Sequence, residues 1–247
     1  MKLNTDKTQF IWHGTRVQLT KVDINSIVLD GVNIPVSAEV RCLGVVLDGE
    51  LTFASHTRQL SRNCFYQLRQ LWSVRRLLTK DAAKTLVHAS ILSRIDYCNS
   101  VLNRACAVHL RPLQSVLHSA ARLILRIRKY DHISAAIREE LHWLPVHHRI
   151  QFKTCALVHK CLHGLAPSYL IDMIGLVSKE PGRRHLRSAA HGDLVVPASR
   201  TKTLGPRAFA ISGPDSWNNI PVALRDTALS FHEFCVKLKT ELYRQIN

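Results

Sequence analysis

The spacing of apolar residues along the chain changes near residue 54. Before it, short runs rich in β-branched and aromatic residues follow one another: "KTQFIWHG", "RVQLTKVD", "SIVLDGVNIPV" and "VRCLGVVLDG". They read as three to five strands of a small antiparallel piece. Asp30-Gly31, between two such runs, predicts a hairpin turn. The apolar run 42–47, broken by Gly44 and closed by Asp48-Gly49, reads as a buried strand running into a turn. No helix in this block is long enough to cover a sheet, so the block looks incomplete by itself.

From residue 54 the period is helical. In "SHTRQLSRNCFYQLRQLWSVRRLL", Leu60, Cys64, Leu68, Leu71, Val74 and Leu78 fall within an arc of roughly 120°. Arg58, Arg62, Arg69 and Arg76 fall within roughly 40° on the opposite side. Thr79, followed by Asp81, predicts the N-cap of a second helix, "KDAAKTLVHASILSRIDY". A third, "HLRPLQSVLHSAARLILRIRK", sets Leu110, Leu113, Val116, Leu117, Ala120, Leu123, Ile124 and Ile127 on one side. Arg111, His118, Arg122, Arg126 and Lys129 share the other. An outer face built only for solubility mixes both signs; these two faces carry almost no acid.

Beyond residue 130, Asp131 is expected to cap a short helix ending near Leu141. Residues 147–163 form another helix, with Gly164 as its C′ residue and Pro167 beyond. The polar stretch 178–193 reads as a linker or flexible loop. "LVVPASRTKTLGPRAFAISGPDSWNNIP" reads as one short strand and several turns. The closing "SFHEFCVKLKTELYRQIN" predicts an amphipathic helix with Phe231, Phe234, Cys235, Leu238 and Leu242 inward.

Charge then changes the picture. The 247 residues hold 34 Lys and Arg against 18 Asp and Glu, a formal +16. Such an excess favours a polyanionic partner, because a basic surface gathers phosphates and releases their counterions. Seven cysteines, an odd number set mostly in apolar stretches, read as free thiols in a reducing compartment. The N-terminus shows no secretory pattern and no run approaches a membrane span. The chain is expected to be intracellular, in nucleus or cytoplasm.

Catalytic constellations are sparse. Two-metal chemistry needs convergent carboxylates, and the sequence has no Asp-Asp step. Asp48 and Asp96 could meet only by folding. Asp81 and the pair Glu139-Glu140 sit at helix ends. Cys155, His159, Cys161 and His163 share one helix, and Cys155 and His159 share a face of it, but Cys161 lies about 160° from His159. Cys98, Cys106 and His109 lack a fourth ligand at finger spacing. Packed thiols and surface imidazoles fit better than zinc. There is no Gly-x-Ser-x-Gly elbow and no phosphate-cradling glycine loop. Trp72, Trp143, Trp217 and Phe209 could stack on bases, but their surroundings favour packing.

In order along the chain stand "LNTDKTQFIW", "VRCLGVVLDGELTF", "SRNCFYQLRQL", "AAKTLVHASILSRIDYCNSVL", "LQSVLHSAARLI", "LHWLPVHHRIQFKT", "KCLHGLAPSYL", "RTKTLGPRAFAISGPDSWNNIP" and "FCVKLKTELY". This series resembles the C-terminal end of reverse transcriptases of non-LTR retrotransposons, in the jockey-like group, over essentially the whole chain. In that family a Tyr-x-Asp-Asp hairpin precedes the block where this chain begins. The resemblance therefore implies a truncated RNA-directed DNA polymerase, without fingers, catalytic aspartates or endonuclease. Lys7 matches the lysine of the palm's fourth motif, a candidate acid for the leaving pyrophosphate. Leu43, Gly44 and Val45 match the primer grip. The helices up to residue 129 match the thumb, which gives Arg58, Arg62, Arg69, Arg76, Arg111, Arg122, Arg126 and Lys129 a role as phosphate contacts that position without reading sequence.

The expected architecture is α+β, mostly α. A palm remnant spans 1–53, a thumb-like helical region 54–130 and a mainly helical C-terminal region 131–247. The expected partner is RNA, DNA or their hybrid, with no membrane, no metal and no cofactor in this chain; Mg2+ belongs to the intact polymerase. No polymerase activity is expected. The alternative is a helical scaffold repurposed for binding protein.

Overall fold

The computed structural model describes residues 4–180, 182, 191–226 and 228–246. Most of the predicted 178–193 loop, residues 181 and 183–190, lies outside the described residues. The architecture is α+β and mostly α, with the β elements at the N-terminal end.

Among the described residues, four short strands form two separate hairpins. β1 (Ser26–Leu29) pairs antiparallel with β2 (Val32–Pro35), and β3 (Glu39–Cys42) with β4 (Val45–Asp48). Asp30 and Gly31 both have positive φ, as a type I′ turn requires. The 41–53 stretch differs from expectation. Leu43 and Gly44 have φ of 47° and 84°, so they are a second tight turn and not part of one continuous strand. "RVQL" is also corrected from strand to helix: Thr15 and Gln18 close a capping box over α1 (Arg16–Leu19). Among the described residues, the β1–β2 hairpin meets its N-terminal neighbour through the Phe10–Val36 bridge.

The helical body begins with α2 (Ala54–Val74), started by Asp48. That carboxylate accepts from the Thr52 and Phe53 amides at 2.8 Å each. A 3₁₀ turn (Arg75–Leu77) follows, and Thr79 caps α3 (Lys80–Val87) as predicted. The second predicted helix is interrupted by a π turn (His88–Leu92) before α4 (Ser93–Asp96). α5 (Ala107–Leu125) runs alongside α2. Ser61 Oγ reaches the Pro112 carbonyl, and Arg75 reaches those of Leu123 and Ile124. These contacts make the two helices parallel, with α3 to α4 as the return.

Cys64, Leu68, Val87, Ile91, Val116, Leu117 and Ile124 fill the core between them. Val74, expected on the core face, is 41% exposed because α2 ends there. Residues from beyond the thumb-like stretch join this core: Ile133, Ile137, Leu141 and Trp143, around α6 (Ser134–Glu139). Ile133 is the N-cap of α6; Asp131, expected there, instead gives its backbone carbonyl to Arg122.

A second core gathers α7 (Val146–Leu162), which a short α8 (Ser168–Ile171) follows, with α9 (Phe209–Asn218) and α10 (Phe231–Arg244) around Val158, Trp217, Phe234, Leu238 and Leu242. Gly164 ends α7 with positive φ, and Leu165 N donates to the Lys160 carbonyl. α9 replaces the turns expected around Gly213-Pro214. A Cβ at Gly213 would sit 3.1 Å from Val158 Cγ2, so glycine lets α9 approach α7 closely. Val45, Phe53, Leu102, Leu113, Val146 and Ile150 form a third cluster, which joins β4 to α5 and α7. The cover that the β3–β4 hairpin lacked in sequence is thus supplied by the helical body.

Candidate nucleic-acid interface

Along α2, Arg58, Arg62 and Arg69 are exposed, as their helical phase requires. Two aromatic rings share that face. Phe65 is 39% and Trp72 45% exposed, and both lie within about 40° of Arg58 around the helix axis. The stripe Arg58, Arg62, Phe65, Arg69, Trp72 interleaves three cations with two rings over about 21 Å. The expectation that Trp72 is packed is corrected. It holds for Trp143 and Trp217, which are 3% and 1% exposed, and Phe209 lies against the second core. The phase could have found Phe65 and Trp72, because their spacing from the arginines is three or four residues.

Trp72 faces α5 across a groove of about 690 Å3, lined by His118, Arg122, Arg126 and Lys129. Burial and the Arg122 charge hold His118 below the usual imidazole range. Arg122 is not a free surface cation: its guanidinium donates to the Arg128 and Asp131 carbonyls and shapes the loop that carries Lys129. Arg126 has positive φ as the C-cap of α5, and its guanidinium reaches the Arg75 carbonyl at 3.5 Å. Arg111 is exposed at the other end of α5. Arg76 is exposed too, but in the 3₁₀ turn and not on the helical rail.

Behind the groove lies a residue that sequence reasoning missed. Arg75 is 4% exposed and donates to the carbonyls of Leu123 (2.6 Å), Ile124 (2.7 Å) and Leu78 (2.8 Å). It satisfies the end of α5, where carbonyls have no intrahelical partners. The two helices themselves contribute no acid to this surface, since the sequence has none from 51 to 80 or from 97 to 130; Glu39 of β3 accepts from the Ser55 hydroxyl at the start of α2.

The primer-grip-like residues form a hairpin tip. Leu43 is 84% exposed, its carbonyl accepts from the Tyr97 hydroxyl at 2.8 Å, and Val45 is buried beneath it. Lys7 is exposed in a 3₁₀ turn (Thr5–Lys7) and lines none of the grooves described here.

The acids and thiols are occupied otherwise. Asp48 holds the turn that leads into α2, while Asp96 binds Arg149 through both carboxylate oxygens at 2.8 and 2.6 Å, so the two do not share a site. Cys155 and Cys161 are buried. His159, expected at the surface, is 1% exposed, with its ring stacked on His163 and Phe234. Among the described residues no cluster of three His, Cys, Asp or Glu could hold a metal. No helix among them is long and apolar enough to cross a membrane. Comparison with models of known protein families, with curated proteins and with solved structures found no match.

Proposed function

We propose that the chain binds the sugar–phosphate backbone of RNA, DNA or their hybrid without reading sequence, as the primer-grip, thumb and C-terminal part of a non-LTR reverse transcriptase. The observation that carries this reading is that two parallel helices contribute basic residues and no acid of their own to one surface, with exposed rings interleaved among the arginines of α2. Guanidinium groups suit phosphates because their planar donors pair with phosphate oxygens. Exposed rings suit unpaired bases, since every base has a face to stack. The chain's own part is to hold and orient a strand, with the Leu43 tip of the β3–β4 hairpin as a second contact. The ordered blocks that resemble the retrotransposon enzymes support the same assignment.

Fluorescence anisotropy with a labelled RNA–DNA hybrid tests it, titrated over a range of salt. Affinity should fall linearly in log–log form, and each alanine at a contacting arginine should reduce the slope by about one. Charge reversal at Arg58, Arg62 and Arg69, which have no hydrogen bond or ion pair among the described residues, should abolish binding at moderate salt. Unchanged affinity in that triple variant, or binding indifferent to salt, refutes the proposal.

A further inference from the structure

Between the two large cores lies a second basic concavity, a crevice of about 580 Å3, within the size range of small-molecule sites. It shares no lining residue with the α2–α5 groove. Lys84, His88, Leu92 and Asp96 follow one another at four-residue spacing along α3, the π turn and α4, and all four line it. Arg149 and Lys153 enter from α7 and Lys239 from α10.

Among the described residues that line it, four full cations therefore meet a single carboxylate, and that carboxylate is taken by Arg149. Among the described residues, Lys84, Lys153 and Lys239 have no carboxylate within ion-pair reach. Their mutual repulsion is felt locally. Burial, then Arg149 and Lys84, lower the Lys239 ammonium from its ordinary value; burial, then Lys84 and Arg149, lower the His88 imidazole. The floor is apolar, made by Leu92, Leu141, Trp143 and Leu144. Trp143 is 3% exposed, and its indole N–H has no acceptor among the described residues. Like charges held together over a low-dielectric floor cost free energy, and a multivalent anion between them reverses the sign of that term.

We propose that this crevice binds a small molecule carrying a multiply charged phosphate group. The inference goes beyond backbone binding and does not depend on it. Lys84 supplies a point charge from α3 and Lys239 one from α10. Arg149, oriented by its two bonds to Asp96, presents its remaining donors, and His88 can donate once an anion raises its basicity.

Isothermal titration of the full chain with inorganic pyrophosphate tests the proposal, with sulfate as the weaker-charged control. Saturable one-to-one binding of pyrophosphate, tighter than that of sulfate, is expected. Lys84→Met and Lys239→Met should each weaken it by about tenfold or more, and Lys239→Arg should retain it. Neither lysine is buried, so both variants should fold, which matching urea midpoints would verify. The wild-type titration stands independently of them. Absence of saturable binding, or binding that survives both Met substitutions, overturns the site. The same variants distinguish the source of the phosphate: anisotropy with the RNA–DNA hybrid should be unchanged in them. Loss of hybrid binding equal to loss of pyrophosphate binding would overturn the small-molecule assignment.

Discussion

Replacing Arg75 by methionine keeps most of its volume and removes every donor. The wild-type guanidinium satisfies three carbonyls at 2.6–2.8 Å, two at the end of α5 and one at Leu78. Bonds of this charged kind contribute about 1.5–3 kcal/mol each, and an orphaned buried carbonyl costs about 1–3 kcal/mol. Against that stands relief from burying a charge, which runs to several kcal/mol. The balance for removing only one side of such a network is a destabilisation of about 3 kcal/mol. Lysine can donate to these carbonyls only from a single point, so Arg75→Lys should recover less than half of the loss. Urea denaturation followed by circular dichroism reads both. A loss below about 1 kcal/mol in Arg75→Met would show that the carbonyls find water or other donors, and would refute the capping argument. The consequence reaches the interface, because Arg126 leans on the Arg75 carbonyl and Arg122 on the adjoining loop. Arg75→Met should therefore also weaken hybrid binding, although Arg75 itself is buried.

Further outcomes follow from single contacts. Trp72→Ala should weaken single-strand binding by about 1–3 kcal/mol while leaving the salt slope unchanged, as measured by anisotropy; a reduced slope would mean that the indole only positions cations. Gly44→Ala places a Cβ at φ 84° in the hairpin turn and should cost about 1–2 kcal/mol in urea denaturation, whereas Gly164→Ala provides the same conformational penalty away from the interface as a control for binding. His148 is 6% exposed, its Nδ1 has no partner among the described residues, and burial, then His147, push it down to about 4. The unfolded chain binds this proton first. The stability His148 confers is therefore complete above pH 6.5 and declines as pH falls towards 4, by up to about 3 kcal/mol. His148→Gln should flatten that part of the stability profile, and an unchanged acid limb would assign the decline to other groups.

The parts of the fold that were legible in sequence are those where one local rule decides. Asp30-Gly31 forms its turn because both residues tolerate positive φ, and Thr79 and Gly164 mark helix ends by capping chemistry. Leu43-Gly44 obeys the same turn geometry, but leucine at the first position hides it: a β-rich apolar run reads as one strand until the cross-strand pairing is known. Gly213-Pro214 reads as a break, yet α9 continues through it because close packing on Val158 outweighs the poor local propensity. The π turn at His88 has no sequence signal of its own. Arg75 was illegible for a different reason. It stands beside the exposed Arg76, and only the parallel placement of α2 and α5 brings a helix end within its reach.

That placement also separates the two basic surfaces. On the α2 rail the arginines are exposed, carry no acid among them and repeat at helical spacing, so a strand bound there as proposed would shift along them at little cost. In the crevice, Asp96 fixes Arg149 and the walls come from three segments distant in sequence. One small anion is thus proposed for these walls and the strand for the rail. The screening should differ accordingly. Exposed pairs lose most of their attraction beyond a Debye length of about 10 Å at 0.1 M salt, while contacts over an apolar floor keep more of theirs. Raising salt should release the hybrid well before it releases pyrophosphate, and the reverse order would place the primary phosphate contact in the crevice.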